Sequence, residues 1–234
     1  MNTVQKLIHE ERLHWRIAIY VMGIFTLALG GALTINSALG VSPINSLPYV
    51  LSMMTGIYIG MCFFAMLTFF TLLQIVILRR EFKLVSLAQL PGAFLFGYLL
   101  DLIRLIIGDF ALPTYLGQLV LLGLGIAGIA TGITLFTSVR LVPLPFECLV
   151  ATIVQKRPDM QFHRVLIVLS VTIVSLAILL SLLVLGGVYG VREGTVISAI
   201  LTGKMMPLIK RATQPLLIKV GIVSMEPKPL ELAI

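Results

Sequence analysis

Residues 40–47 read Gly40-Val41-Ser42-Pro43-Ile44-Asn45-Ser46-Leu47, and residues 142–149 read Val142-Pro143-Leu144-Pro145-Phe146-Glu147-Cys148-Leu149. Each follows a long apolar run. Setting Pro43 on Pro145, a shift of 102 positions, also sets Gly23 on Gly125, Ile24 on Ile126, Ala28 on Ala130, Gly30 on Gly132, Leu33 on Leu135, Leu39 on Leu141 and Leu47 on Leu149. The pattern is that of an internal duplication in which each copy carries a proline-started segment. Proline at the first helical position gives up only an amide that would be orphaned anyway, and Ser42 is a favoured residue to cap such a start. Two short helices are therefore expected, near 43–54 and near 145–154. Both are too short to span a bilayer and too apolar to lie free in water, so each either dips into the bilayer as a re-entrant half-helix or lies at its surface.

Composition sets the class. The 234 residues are 59% hydrophobic and 12% charged, with mean hydropathy +1.07, whereas a soluble domain carries about 25% charged residues. The few charges fall in the gaps between apolar runs. No soluble domain fits, and the formal charge of +7 reads as flanks resting on anionic headgroups rather than as a nucleic-acid surface, since no basic face with interleaved aromatics exists. Cys62 and Cys148 fall in a span and on the cytoplasmic side, which argues against a disulfide framework.

Apolar segments near 17–39, 58–78, 86–107, 117–139, 163–186 and, shorter, 194–209 predict six spans. The first exceeds the length of a signal-peptide core and reads as a retained helix. Lys6, Arg12 and Arg16 precede the first span, Arg79, Arg80 and Lys83 follow the second, and Arg140, Lys156, Arg157 and Arg164 lie between the fourth and fifth. These segments are expected inside, with 40–57, 108–116 and 187–193 outside and both termini cytoplasmic. Three spans per half is an odd number, so the second half enters the membrane from the opposite side. The fold class read from the sequence is thus an all-α polytopic membrane protein of six transmembrane helices, arranged as two inverted three-helix repeats, each with a proline-started half-helix. Its parts are a cytoplasmic flank 1–16, a first repeat 17–107, a second repeat 115–210 and a cytoplasmic tail 211–234. Gly97-Tyr98-Leu99-Leu100-Asp101-Leu102-Ile103 also sets loosely on Gly203-Lys204-Met205-Met206-Pro207-Leu208-Ile209, at a shift of 106.

Glycines bear on packing. Gly123, Gly125, Gly128 and Gly132 lie on the fourth span, and Gly23, Gly30 and Gly31 on its repeat mate, so spans one and four are expected to cross closely. A homodimer interface is the alternative use of those glycines.

A glycine-rich first span ending in Leu-Gly-Val-Ser-Pro, then Thr-Gly-Ile-Tyr-Ile-Gly, a Leu-Arg-Arg turn and a late Leu-Gly-Gly-Val-Tyr-Gly-Val-Arg-Glu-Gly-Thr stretch together resemble the bacterial YczE/YyaS/YitT group of integral membrane proteins, over roughly residues 15–210. The chain departs from the group's usual pattern at Ile44 and Asn45 and at Val188, Val191, Arg192 and Glu193, as a divergent branch would. The resemblance implies a multi-pass protein of the bacterial inner membrane and, as to activity, presumed transport.

Polar residues at membrane depth supply the candidate solute site. Asn36, Ser42, Asn45, Ser138 and Glu147 are the groups the repeat brings toward one cavity near the midplane, and Arg192 stands at the outer start of the last span. Glu147 has two readings, a capping carboxylate at the third helical position and a protonatable or cation-coupling group. Half-helix N-termini would also suit an anionic or buried polar ligand. Asp101 and Arg104, three apart on one helix face, are expected as a structural pair. No hydrolase, phosphate-loop or zinc signature occurs, and Ser198 and Lys204, six apart, do not share a helix face, so the reading is of no enzyme, metal or cofactor. The expected function is transport or export of a small solute. The alternatives are a solute-binding membrane subunit of a larger transporter and a non-transporting interaction or regulatory protein. Expected partners are the lipid bilayer, a small-molecule solute, and a second copy or a transporter subunit, with no nucleic acid.

Overall fold

The computed structural model describes residues 3–108, 110–139, 141–157 and 159–219, with 3–12 and 216–219 described as helix backbone alone. Asp109, Arg140 and the tail from residue 220 onward lie outside the described residues. The chain forms α1 (Thr3–Asn36), α2 (Pro43–Thr55), α3 (Ile59–Leu78), α4 (Gln89–Ile107), α5 (Tyr115–Ser138), α6 (Pro145–Lys156), α7 (Phe162–Leu180) and α8 (Glu193–Lys219), and no strand occurs among the described residues. Short 3₁₀ turns at Arg79–Glu81 and Leu84–Ala88 join α3 to α4, and a π-helical turn, Ser181–Leu185, extends α7.

Among the described residues, five stretches are long and apolar enough to cross a membrane: Leu13–Asn36, Ile59–Glu81, Leu84–Ile107, Tyr115–Ser138 and Phe162–Leu185. The last helix is not among them. Where the sequence reading expected a short span at 194–209, α8 runs on to Lys219 through Pro207 and Pro215, and Lys204, Lys210 and Arg211 lower its hydropathy.

The two short helices form with bounds close to those expected. Pro43 and Pro145 each stand in the first helical turn. Ser42 does not cap α2 through its side chain; its carbonyl accepts the Asn45 amide at 2.9 Å instead. Gly56, at φ 73°, ends α2 in the left-handed conformation with its amide on the Ser52 carbonyl, 2.8 Å away. This is the usual glycine stop.

α1 and α5 cross at the centre, and glycine permits the approach. A methyl group on Gly30 would stand 2.5 Å from the Ile129 amide nitrogen and 2.6 Å from the Gly125 carbonyl, and one on Gly132 would stand 2.5 Å from the Leu27 nitrogen and 2.7 Å from the Gly23 carbonyl. Residue numbers rise on one helix as they fall on the other, so the pair is antiparallel. Around this crossing α4 packs on α1 and α8 on α5; α6 packs on α3 and α2 on α7; α2 also meets α3, as α6 meets α7.

One pair of interfaces does not match. α3 and α4 lie backbone to backbone at Gly60 and Gly97, with Phe63 and Phe96 rings 4.5 Å apart, while α7 and α8 make at most marginal contact. Nothing lies within 4 Å of where a side chain would start at Gly203.

Hydrogen bonds tie each end of the bundle. At one end Arg16 donates to the Val139 carbonyl at 2.7 and 3.1 Å, and Lys156 pairs with Glu81 at 2.7 Å. At the other end the Val41 amide donates to Gly190, and the Gly194 amide to Leu39, both at 2.8 Å. Arg192 donates to the Ala38 carbonyl there, at 3.0 Å. Gly40, at φ 112°, sits so close to Arg192 and Thr195 that a side chain would meet Thr195 Oγ1 at 2.7 Å. The first end gathers Arg79, Arg80, Lys156 and Arg157, whereas the second carries Arg192 beside Glu193.

Candidate functional site

Because α7 and α8 stand apart, a cavity of 1590 Å³ opens between them and reaches the α1–α5 crossing. Small-molecule sites usually run about 300–1,000 Å³, so this one is large. Its walls are mostly apolar, with Leu27, Phe136 and Ile129 from the crossing, Phe63 from α3, Phe96 from α4 and Val171 from α7. The starts of both short helices open onto it: Ser42, just before α2, with Pro43 and Asn45 from α2, and Phe146 with Glu147 from α6.

Three of the six candidate residues, Ser42, Asn45 and Glu147, therefore come together on one cavity. The other three are used elsewhere. Asn36 donates from Nδ2 to the Gly108 carbonyl at 2.9 Å and so ties the end of α1 to the end of α4. Ser138 donates back to the Thr134 carbonyl of its own helix at 2.5 Å, and it is the neighbouring Thr137 that lines the cavity. Arg192 belongs to the clasp over Ala38 and also lies 3.4 Å from Glu193; its neighbours Val191 and Thr195 face inward.

Asp101 has a task that its spacing from Arg104 did not disclose. Its carboxylate accepts the Gly60 amide at 2.7 Å, one of the four amides at the start of α3 that have no partner within the helix. Arg104 lies within electrostatic reach of that carboxylate. The acid thus fastens α4 to the start of α3, where the backbones are closest.

Two glutamines complete the site. Gln89, at the head of α4, donates to Gln74 Oε1 at 3.2 Å, and Gln74 donates to the Pro145 carbonyl at 3.0 Å. Both side chains are nearly inaccessible, at 1% and 2% exposure. This relay holds the first turn of α6 against α3 and α4. An amide inside an otherwise apolar run was the available signal for Gln74, because a buried amide needs partners and so marks a polar junction.

Buried polar groups are almost always hydrogen-bonded. Among the described residues, Asn45 Oδ1, Gln89 Oε1, Glu147 Oε2, Ser198 Oγ and Thr152 Oγ1 are buried without a partner, and all of these residues except Thr152 line the cavity. One Glu147 oxygen accepts its own backbone amide, and burial pushes the carboxyl from its usual range up to about 7. Desolvation disfavours the charged form, and one amide bond does not offset it. His163 and Lys204 also line the cavity but are exposed. No group of three or more His, Cys, Asp or Glu is placed to hold a metal ion among the described residues.

Residues 14–211 match a family of unknown function, DUF6198. The chain belongs to this YczE-like family. It is similar to the uncharacterized membrane protein YczE of Bacillus subtilis (strain 168), with 30% identity over 202 residues that cover 84% of this chain and 86% of that protein. No solved structure matches the chain. The family and the apolar helices together make this a membrane protein of several passes.

Proposed function

We propose that the protein is a bacterial inner-membrane transporter or exporter of a small solute, bound in the cavity between α7 and α8. Both termini are cytoplasmic, and α1–α4 and α5–α8 are inverted repeats with α8 as the sixth span. The observation that carries this reading is the exchange of partners at the central crossing. Gly23 and Gly30 are the sequence mates of Gly125 and Gly132, and the contacts run Gly23 to Gly132 and Gly30 to Gly125. A two-fold axis through the crossing requires that swap. The paired interfaces of α4 on α1 with α8 on α5, and of α6 on α3 with α2 on α7, support the same axis.

On this reading the unmatched pair carries the transport step. Inverted repeats exchange roles as a transporter alternates access, so the opposite state closes α7 on α8 and opens α3 from α4. The π turn that extends α7 and Gly186, at φ 72°, supply a place for α7 to bend.

A thermal-shift screen of the purified protein against a metabolite library tests the reading, because a ligand at 100 times its Kd stabilises a fold by about 2.7 kcal/mol. A stabilising solute whose effect disappears in the cavity-filling variant Gly203→Trp is the expected result. Stabilisation that survives Gly203→Trp places the solute elsewhere and overturns the reading. The lateral gap between α7 and α8 also favours a second reading, a solute-capturing subunit whose gap is closed by a coupling partner; co-purification of an ATPase module with the native protein is its signature.

A further inference from the structure

The unpartnered atoms on the cavity wall have a common chemistry. Asn45 Oδ1, Gln89 Oε1 and Glu147 Oε2 accept hydrogen bonds and cannot donate when the carboxyl is ionised, and only Ser198 Oγ can do both. Asn45, Gln89 and Ser198 are 2%, 1% and 1% exposed. A ligand that satisfies such a wall must bring N–H or O–H donors. An anion would bring further acceptors, and of these atoms only Ser198 Oγ could donate to it.

The electrostatics agree. The free amides at the start of α6 would ordinarily favour an anion, but Glu147 occupies that position and accepts its own amide. Among the described residues, the basic groups that line the cavity, His163 and Lys204, are exposed rather than part of its buried wall. Around the buried acceptors the remaining surface is aromatic and aliphatic, with Phe63, Phe96 and Phe136 among the residues present.

Resting on the reading of the cavity as a solute site, we propose that its ligand is an amphiphilic organic amine. The protonated nitrogen is held by the Glu147 carboxylate beside Gln89, further donors meet Asn45 and Ser198, and the apolar body lies against the phenylalanines. Lipophilic ammonium compounds fit both the size and the character of the walls.

A consequence is competition between the amine and the proton. Burial raises the Glu147 carboxyl to about 7, so it is ionised and attracts an ammonium above that pH and is neutral below it. Among the described residues, Tyr20 on α1 and Cys148 on α6 itself lie within electrostatic reach of it, and His163 on α7 and Lys204 on α8 line the same cavity. α3 and α4 present the neutral Gln74 and Gln89. One carboxyl that holds either a proton or an amine, never both, is the smallest device that can exchange the two across a membrane.

The test uses three molecules that share an indole body: tryptamine, its neutral N-acetyl derivative, and the anion indole-3-acetate. Equilibrium binding is measured on the full chain in lipid nanodiscs, and binding is counted as cavity binding only when Gly203→Trp removes it. Tryptamine is expected to bind at least about tenfold more tightly than either analogue at about pH 8.5, and to weaken about tenfold at about pH 5.5 as Glu147 takes its proton. Glu147→Gln, which keeps the side chain's shape, should lose the preference for the cation and the pH dependence together. Asn45→Leu should weaken tryptamine with the pH dependence retained. Cavity binding of indole-3-acetate or of the neutral analogue in preference to tryptamine overturns the amine class and leaves the solute site standing. A pH dependence that persists in Glu147→Gln assigns it to His163 and overturns the competition. Absence of any cavity binding by tryptamine overturns the amine proposal, and the library screen then judges the solute site separately.

Discussion

Gly97 and Gly203 are loosely matched by the sequence and treated oppositely by the structure. Gly97 lies backbone to backbone with Gly60 of α3, and one turn further along α4 the Asp101 carboxylate takes the Gly60 amide. Gly203 faces open space, and Pro207 is set on Asp101 by the same shift. The first pair of helices has small residues on both sides and a carboxylate to hold them together. The second has leucine, isoleucine and valine along α7, no glycine between 162 and 185, and no latch. In a membrane, helices gain little by burying apolar surface against each other, because lipid is equally apolar. Close backbone packing and polar contacts decide which pairs join. The cavity is therefore the result of what the second half lacks.

Substitution at the two glycines gives the largest contrast. Gly97→Leu forces a side chain into the Gly60 backbone and should cost about 3 kcal/mol or more, read as loss of monodisperse protein on purification. Gly203→Leu should stay within about 0.5 kcal/mol of the native protein. Equal damage at the two positions would mean that α8 packs on α7 as tightly as α4 packs on α3.

Glu147 gives the next effect, and its sign is fixed by the direction of its shift. Its carboxyl titrates near 7 in the folded protein against a usual 4.5, so the folded state holds a proton that the unfolded state has released. Stability should fall as pH rises from about 4.5 to about 7 and level off above, by an amount on the order of 3 kcal/mol. Thermal melting across that range should show the fall in the native protein and a flatter profile in Glu147→Gln. A native profile that rises through this range contradicts the buried, unpaired carboxyl.

Asp101→Ala should cost about 1–3 kcal/mol by leaving the Gly60 amide buried without its acceptor. The smallest effect belongs to Lys156→Met. Its partner Glu81 is 60% exposed, and exposed ion pairs are worth about 0.2–1 kcal/mol. If Lys156→Met proves the more damaging of the two, the latch at Gly60 is not what holds α4 to α3.

The parts of this fold that local residues determine were legible in the sequence. Pro43 and Pro145 start short helices because proline suits a first turn, and glycines at 23, 30, 125 and 132 mark a close crossing because nothing larger fits. What escaped depends on partners distant in the chain. Ser42 looked like a cap, yet its side chain faces the cavity. Asn36 looked like a site residue, yet Gly108, 72 positions away, takes its amide. The Gln89–Gln74–Pro145 relay joins three elements and leaves no local pattern beyond an amide in an apolar run. The gap between α7 and α8 could not be read at all, because it reflects an interface that does not form.

Ala93 and Ala199 are set on each other by the same shift as Gly97 and Gly203. Ala93 is fully buried within the first half, and Ala199 lines the cavity. In a background free of Cys62 and Cys148, the rate at which a water-soluble maleimide labels Ala93→Cys and Ala199→Cys compares the two halves at one matched position. Labelling is expected to be rapid at 199, slowed by any solute that the thermal-shift screen finds, and absent at 93. Comparable labelling at both positions, or at neither, would contradict an open second half beside a closed first one.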